Sequence, residues 1–144
     1  MPFAPPLSLT DIPTPGAYQA LLLALHRFTE EQLGLVESLG QALVILLTDP
    51  TTGGIVGGLW GSTYLGHLQI GILFVPEALR RTGLGTRMVH MAEAEAIRRG
   101  CNGVWVQSYD FQARGFYERL GYETFGILDE CPPGHSLVFL RRRL

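Results

Sequence analysis

The stretch ALRRTGLGTRMVHMAEAEAIRRG, residues 78–100, joins a glycine-rich turn to the start of an amphipathic helix. Gly83 and Gly85 stand where the helical pattern begins, although a glycine inside a helix costs about 0.5–1 kcal/mol relative to alanine. The free N–H groups and the dipole of a helix start attract anions, and glycines let a ligand come close to the backbone. Because Arg80 and Arg81 add positive charge, the stretch predicts a phosphate or pyrophosphate site. A plain tight turn with solvated arginines is the alternative.

Two common phosphate-binding motifs do not match this stretch. A P-loop requires a lysine after its second glycine, and the chain contains no lysine. The dinucleotide-binding fingerprint requires a further glycine at the position that Met88 occupies. That fingerprint also follows the first strand of its sheet, whereas several predicted strands precede Gly83. Neither motif therefore explains the glycines.

Apolar runs and turn residues predict an N-terminal helix followed by a mixed sheet. Residues 1–13 are proline-rich and predict an extended lead-in with one short strand. A helix is expected from Thr14-Pro15 to about Leu33, then a loop over GLVESLGQ. The further predicted elements are strands 42–48, 55–62 and 67–75, a helix 83–99, a strand 103–108, a short helix 112–120, and strands 122–128 and 136–143.

The order of these elements predicts an α/β fold of the mixed, α+β kind. The first three strands are joined by short turns, which favours antiparallel pairing. The helix at 83–99 lies between two strands, and such a crossover normally joins parallel neighbours. We therefore expect a layered α/β sandwich whose antiparallel first half meets a more parallel second half.

Length and composition narrow the class of protein. The 144 residues suit one domain, residues 1–144, and no apolar run is long enough to span a membrane. The N-terminus lacks the pattern of a signal peptide, so a cytoplasmic location is expected. A net charge of −2 does not favour a nucleic-acid partner. Cys101 and Cys131 lack the spacing of zinc ligands, and no metal is expected.

The pattern Arg80-x-x-Gly83-x-Gly85 resembles the acetyl-CoA loop of the GNAT superfamily of N-acetyltransferases. The resemblance extends through LQIGILFVPEALRRTGLG and AEAEAIRRGC to FQARGFYERLGYE, which is similar to the signature A-x-x-F-Y-x-x-x-G-[FY]. The ending CPPGHSLVFLRRRL resembles a bacterial subgroup of unassigned substrate, and the likeness covers residues 42–144. It implies a GNAT-like fold, a central sheet of six to seven strands with a splayed parallel pair and about four flanking helices.

The resemblance also implies acetyl-CoA as cofactor and suggests where it binds. The pantetheine arm is expected along Leu73, Phe74 and Val75, where a backbone N–H would polarise the thioester carbonyl. Further candidates for contact with the cofactor lie at and after the end of the predicted strand 103–108: Ser108, Tyr109, Gln112 and Arg114. The last two are candidates for the 3′-phosphate end. The pyrophosphate is expected on the loop residues Arg80, Arg81, Thr82, Gly83, Leu84, Gly85 and Thr86.

Tyr117 is the catalytic candidate that the resemblance implies, as the acid that protonates the departing thiolate of coenzyme A. A placed general acid contributes about 10²–10⁴ in rate, although Tyr117 would also suit a helix core. No carboxylate occupies the expected position of the base, where the chain has Gly71. His67 is the predicted base because histidine exchanges protons near neutral pH. Glu37, Gln69, a water chain or bulk solvent are alternatives.

The predicted function is direct transfer of an acetyl group from acetyl-CoA to a primary amine of a small molecule or peptide. Trp60, Tyr64 and Gln69 are the candidate acceptor-binding residues; an aromatic rim would hold an amine by cation–π contact, and core packing is the alternative. A non-catalytic acyl-CoA-binding module and a nucleotide-binding or structural protein are the other interpretations. A homodimer formed through the last strands is a further hypothesis. The sequence does not identify the acceptor.

Overall fold

The computed structural model describes residues 4–34 and 40–144, and its contacts divide the chain into a unit of residues 1–39 and a unit of residues 40–144. In the first unit, helix α1 spans Ala17–Leu33, between two glycines with left-handed backbone, Gly16 and Gly34. The helix begins later than predicted because Thr14 closes a turn, its carbonyl accepting a hydrogen bond from the Ala17 N–H. Residues 4–13 contain no strand, so the predicted short strand is absent from that part.

The second unit is a sheet of six strands with two α-helices and one short 3₁₀ turn, Glu77–Leu79. The predicted strands and helices after residue 40 are all present, with ends that differ from the prediction by at most two residues. Three α-helices occur in the described parts of the whole chain, against the four expected. The elements are β1 (Gln41–Thr48), β2 (Ile55–Tyr64), β3 (His67–Phe74), α2 (Leu84–Arg98), β4 (Gly103–Tyr109), α3 (Arg114–Arg119), β5 (Glu123–Asp129) and β6 (Ser136–Arg143).

The strand order is β1-β2-β3-β4-β6-β5, and β3–β4 is the one parallel pair of this described sheet. The expectation of a more parallel second half is wrong, because β4 pairs antiparallel with β6 and β6 antiparallel with β5. Strand β5 does run in the direction of β4 after the α3 crossover. It is not the neighbour of β4, however, because the β5–β6 hairpin places β6 between them. The GNAT-like mixed sheet is confirmed, with six strands.

The core lies between one face of the sheet and helix α2. Alternate residues of β3 and β4 face it, including Leu68, Ile70, Val104 and Val106, all with an exposed fraction of 3% or less. The facing side of α2 contributes four buried apolar side chains, two of them alanines. These are Met88, Val89, Ala92 and Ala96.

A buried polar cluster also ties α2 to β6. Glu93, on α2, is 4% exposed, and its Oε2 accepts a hydrogen bond from the Tyr122 hydroxyl at 3.1 Å. The same oxygen accepts a hydrogen bond from Arg142 Nη1 at 2.7 Å. A carboxylate removed from water in this way stabilises a fold only while its partners remain.

Replacing Glu93 by alanine should lower the free energy of unfolding by about 2–4 kcal/mol, because it leaves the Tyr122 hydroxyl and the Arg142 guanidinium without their acceptor. Glu123→Ala is the matched control, since Glu123 also pairs with an arginine of β6, Arg141, but both side chains are exposed. The control should cost less than about 0.5 kcal/mol. Urea unfolding measures both; equal losses would contradict the role given to Glu93.

Candidate active site

The parallel strands β3 and β4 separate partway along their length. They pair from His67 and Gly103 to Ile70 and Val106, four positions, although both strands continue beyond. On the other edge of β3, Gly61 pairs with Ile70 and Trp60 pairs with Ile72, so Gly71 is a bulge with no partner on β2. A bulge bends its strand and increases the local twist. The splayed pair that the resemblance implied is therefore present, and it opens just after Ile70.

A cleft of about 910 Å³ occupies this opening. One wall is the unpaired end of β3 with the turn that follows it, and the other is the end of β4 with helix α3. The first turn of α2 also lines the cleft. The lining residues are 70–75, Leu79, Arg80, Arg81, 83–86, 106–108, 111–113, Phe116, Tyr117 and Arg119.

The first turn of α2 presents backbone N–H groups to the cleft. Gly83, the N-cap, has φ 81° and makes no side-chain cap hydrogen bond, and Arg81 also has a left-handed backbone with φ 62°. Within the described ranges, the N–H groups of residues 81–86 donate no hydrogen bond, and the first intramolecular bond is from Arg87 N to Gly83 O. Such a set of unpaired amides at a helix start suits an anion.

The two arginines beside these amides have different surroundings. Arg80 Nε donates to the Val75 carbonyl at 3.0 Å, and its guanidinium lies 6.0 Å from the centre of the Phe74 ring. Arg81 has no hydrogen-bond or ion-pair partner among the residues that the structure describes. Thr82 turns away from the amides, because its hydroxyl donates to the Leu79 carbonyl at 2.6 Å. Positive charge thus lies beside the amides, with Arg81 available to a ligand.

Tyr117 lies on α3 at the inner wall of the cleft. Only 3% of its surface is exposed, and its ring packs against Phe116 and Tyr122, with centroids 5.1 and 5.3 Å away. The hydroxyl makes no hydrogen bond to the described chain. Every fully buried side-chain polar atom in the described residues has a partner, so the Tyr117 hydroxyl is not fully buried and reaches the cleft. Burial raises the pKa of this hydroxyl above the ordinary 10.0. Tyr117 therefore holds its proton at neutral pH.

Most of the cofactor-site residues predicted from the sequence lie in this cleft. Ser108 and Gln112 line it but also brace the β4–α3 turn: Ser108 Oγ accepts from Ala113 N, and Gln112 Oε1 accepts from Tyr109 N. Arg114 does not line it, since its guanidinium pairs with Glu118 at 2.9 Å. The predicted residues that do line it are Leu73, Phe74, Val75, Arg80, Arg81, Gly83, Leu84, Gly85, Thr86, Ser108, Gln112 and Tyr117.

The predicted base and acceptor residues are not brought to the cleft. His67, at the start of β3, lines a different cavity beside Gly103 and Trp105, so it is separated from Tyr117 by the paired part of the strands. Tyr64 pairs with His67 at that same end. Gln69 and Trp60 are absent from the cleft lining, although Trp60 is the cross-strand neighbour of the lining residue Ile72. Glu37 lies outside the described residues.

Ten lining residues were not among the site residues predicted from the sequence, and Phe111, Phe116 and Arg119 are three of them. Phe116 packs against the core and also at the start of α2, with its ring 3.4 Å from where a Cβ on Gly85 would stand. Phe111 and Arg119 also line the cleft. The spacing of Phe116 and Arg119, which places both on one face of a helix, was the signal available in the sequence.

Comparison with known proteins agrees with this geometry. The model of the acetyltransferase (GNAT) family matches residues 12–122. An acetyltransferase of Agrobacterium fabrum is 39% identical over 89 residues, which are 62% of this chain and 65% of that protein. The blasticidin-S acetyltransferase of Streptomyces morookaense is 41% identical over 90 residues, 60% of this chain and 66% of that protein. The aligned region thus spans just under two thirds of each relative.

A solved structure is similar over nearly the whole chain. The crystal structure of an Agrobacterium tumefaciens protein assigned to the acetyltransferases has a TM-score of 0.87 and 32% identity, covering 96% of this chain and 99% of that one. The chain therefore belongs to the acetyltransferase (GNAT) family. In the described residues, no helix has the length and apolar character needed to cross a membrane, and no cluster of three or more His, Cys, Asp or Glu side chains is placed to hold a metal ion.

The raised pKa of Tyr117 predicts a pH dependence of stability. Because the folded state holds this proton more tightly than the unfolded state, the stability that it contributes is complete below pH 10.0 and is lost as the pH rises above that value. Between pH 10 and 11.5, the free energy of unfolding should fall less steeply in Tyr117→Phe than in the wild type, by about 1.4 kcal/mol per pH unit. The exposed Tyr18→Phe is the control, and urea unfolding is the measurement. Parallel curves for Tyr117→Phe and the wild type would contradict the burial argument.

Proposed function

We propose that this protein is an acyltransferase that transfers an acetyl group directly from acetyl-CoA to a primary amine of a small molecule or peptide. Acetyl-CoA is the donor implied by the family. The observation that carries the proposal is the unpaired amide set of residues 81–86, which opens into the same cleft as the Tyr117 hydroxyl. An anion site and a proton donor thus lie in one cleft, as a phosphate-bearing thioester requires.

The cleft suits the donor along its length. The amides of residues 81–86 would hold the diphosphate, with Arg81 adding charge, and Gly83 and Gly85 keep this surface free of side chains. The end of β3, residues 72–75, is free of β4 and offers backbone groups to the amides of the pantetheine arm. An N–H from this strand end would polarise the thioester carbonyl. The residues present therefore fit the cofactor.

Bound in this way, acetyl-CoA supplies an activated carbonyl that a neutral amine attacks, so that a C–N bond forms and the C–S bond breaks. The Tyr117 hydroxyl gives its proton to the sulfur as the thiolate leaves. The proton that the amine loses passes to water, and a proton from water restores the tyrosine. We propose no side chain as base, because His67 and Gln69 do not line the cleft.

The wider properties of the protein are proposals of the same kind. Because the family match crosses both units, we propose that residues 1–144 act as one acetyltransferase domain. Blasticidin S, named by a relative with 41% identity, is the first acceptor to test. A cytoplasmic location and a homodimer through the last strands stay predictions from the sequence.

Gly83→Glu should weaken acetyl-CoA binding at least about 100-fold, because it places a carboxylate at the amides that would meet the diphosphate. Gly16→Glu is the matched control: Gly16 is also a helix N-cap with positive φ, and at both positions nothing lies within 4 Å of an added Cβ. Calorimetry measures binding, and melting temperature measures the fold. Unchanged acetyl-CoA affinity in Gly83→Glu, or equal weakening in Gly16→Glu, would contradict the proposal that this loop binds the diphosphate.

Tyr117→Phe should lower kcat by about 10²-fold or more, with acetyl-CoA affinity within about 3-fold of wild type, because it removes a proton donor and keeps the packing. Tyr122→Phe is the control, since that hydroxyl donates to Glu93 and does not line the cleft. Release of free thiol is followed with blasticidin S and a panel of small primary amines. If kcat is unchanged, the thiolate takes its proton elsewhere. Acetyl-CoA binding with no thiol release from any acceptor would favour the non-catalytic binding module.

A further inference from the structure

The cleft contains an arginine that neither the fold nor the acetyl transfer explains. Arg119, on α3, lines the cleft and is exposed. It has no hydrogen-bond or ion-pair partner in residues 4–34 and 40–144. An arginine without an anion at the wall of a cleft is available to a bound ligand.

The position of Arg119 relative to α2 follows from two contacts. Phe116 packs against Gly85 in the first turn of α2, at 3.4 Å from the position of an added Cβ. Arg119 is three residues further along α3 and so lies on the same helix face. Its Nη1 lies 3.4 Å from the Cβ position of Gly115, so the side chain folds back along the helix over a residue that has no side chain. The guanidinium therefore faces the same cleft as the loop amides, from a different element.

Arg114 on the same helix has a different environment. Its Nε donates to Glu118 Oε1 at 2.9 Å and its Nη2 to Thr124 Oγ1 at 3.3 Å, and it is absent from the cleft lining. The sequence suggested Arg114 for the 3′-phosphate end of the cofactor. In the structure, that guanidinium is paired with Glu118, and Arg119 lines the cleft instead.

We propose that Arg119 binds the 3′-phosphate of coenzyme A, so that α3 distinguishes the cofactor from 3′-dephospho-coenzyme A. This rests on the proposed function. Coenzyme A carries a diphosphate, for which the amides of residues 81–86 and Arg81 are already available, and one further phosphate on the ribose. That group is a phosphate monoester with close to two negative charges at neutral pH, and guanidinium is the side chain best matched to it. The exposed position of Arg119 suits the ribose phosphate, which lies at the outer end of the cofactor.

The test compares coenzyme A with 3′-dephospho-coenzyme A by calorimetry on the full chain. The wild type should bind coenzyme A more tightly. Arg119→Gln should weaken coenzyme A by about 5- to 10-fold and leave dephospho-coenzyme A within about 2-fold. Arg114→Gln, the same substitution on the same helix, should keep the wild-type preference. Melting temperatures show that all three proteins are folded.

Each other outcome overturns the proposal. Equal binding of the two ligands by the wild type would show that the protein does not bind the 3′-phosphate. Equal weakening of both ligands by Arg119→Gln would place Arg119 at the diphosphate, and loss of the preference in Arg114→Gln would give the contact to Arg114. If the wild type binds neither ligand, the proposed function fails first and this inference with it, which separates the two failures.

Discussion

The unpaired backbone N–H groups at the start of α2 are the physical constraint on which the rest of the site depends. Every helix start leaves donors without intrahelical acceptors, and proteins usually satisfy them with a side-chain cap or water. Here the N-cap is Gly83, which has no side chain to offer, and Arg81 and Gly83 both adopt left-handed backbone. Residues 81–86 thus keep six backbone donors without an acceptor in the described chain, and five of these residues line the cleft. A ligand with a phosphate group is the natural acceptor.

The opening between β3 and β4 turns this anion site into a site for a long ligand. If the two strands stayed paired to their ends, the amides of α2 would face a closed sheet edge. The bulge at Gly71 shifts the β2–β3 register, and the pairing of β3 with β4 stops at Ile70 and Val106. The cleft that results runs from the α2 amides to the Tyr117 hydroxyl, so one bound molecule could contact both. The bulge at Gly71, the separation of β3 from β4 and the start of α2 therefore form the site together.

Local sequence patterns predicted the elements well because each depends on near neighbours. The apolar run ALVILLT forms the edge strand β1, in which Leu43 is the one buried residue, and Gly83 starts α2 as its conformational freedom suggested. The pairing of β4 was predicted less well, because nothing local to β5 shows that the β5–β6 hairpin inserts β6 between β4 and β5.

The site residues predicted from a motif line the cleft, whereas the predicted base, whose place depends on direction along a strand, lies elsewhere. Tyr117 and the glycine loop came from a resemblance that spans the right elements, and both line the cleft. His67 was chosen for its chemistry alone, yet it begins β3, and the cleft opens at the other end of that strand. Arg114 and Arg119 are indistinguishable in sequence as arginines of one helix. Only the partner Glu118 and the contact of Phe116 with Gly85 separate their roles.

A crystal structure of this protein with acetyl-CoA would test the account at its foundation. We expect the diphosphate oxygens within hydrogen-bond distance of backbone N–H groups in residues 81–86, and the thioester sulfur beside the Tyr117 hydroxyl. A diphosphate bound at any other surface, with these amides still facing solvent, would contradict the account of the site and the acetyltransferase proposal built on it.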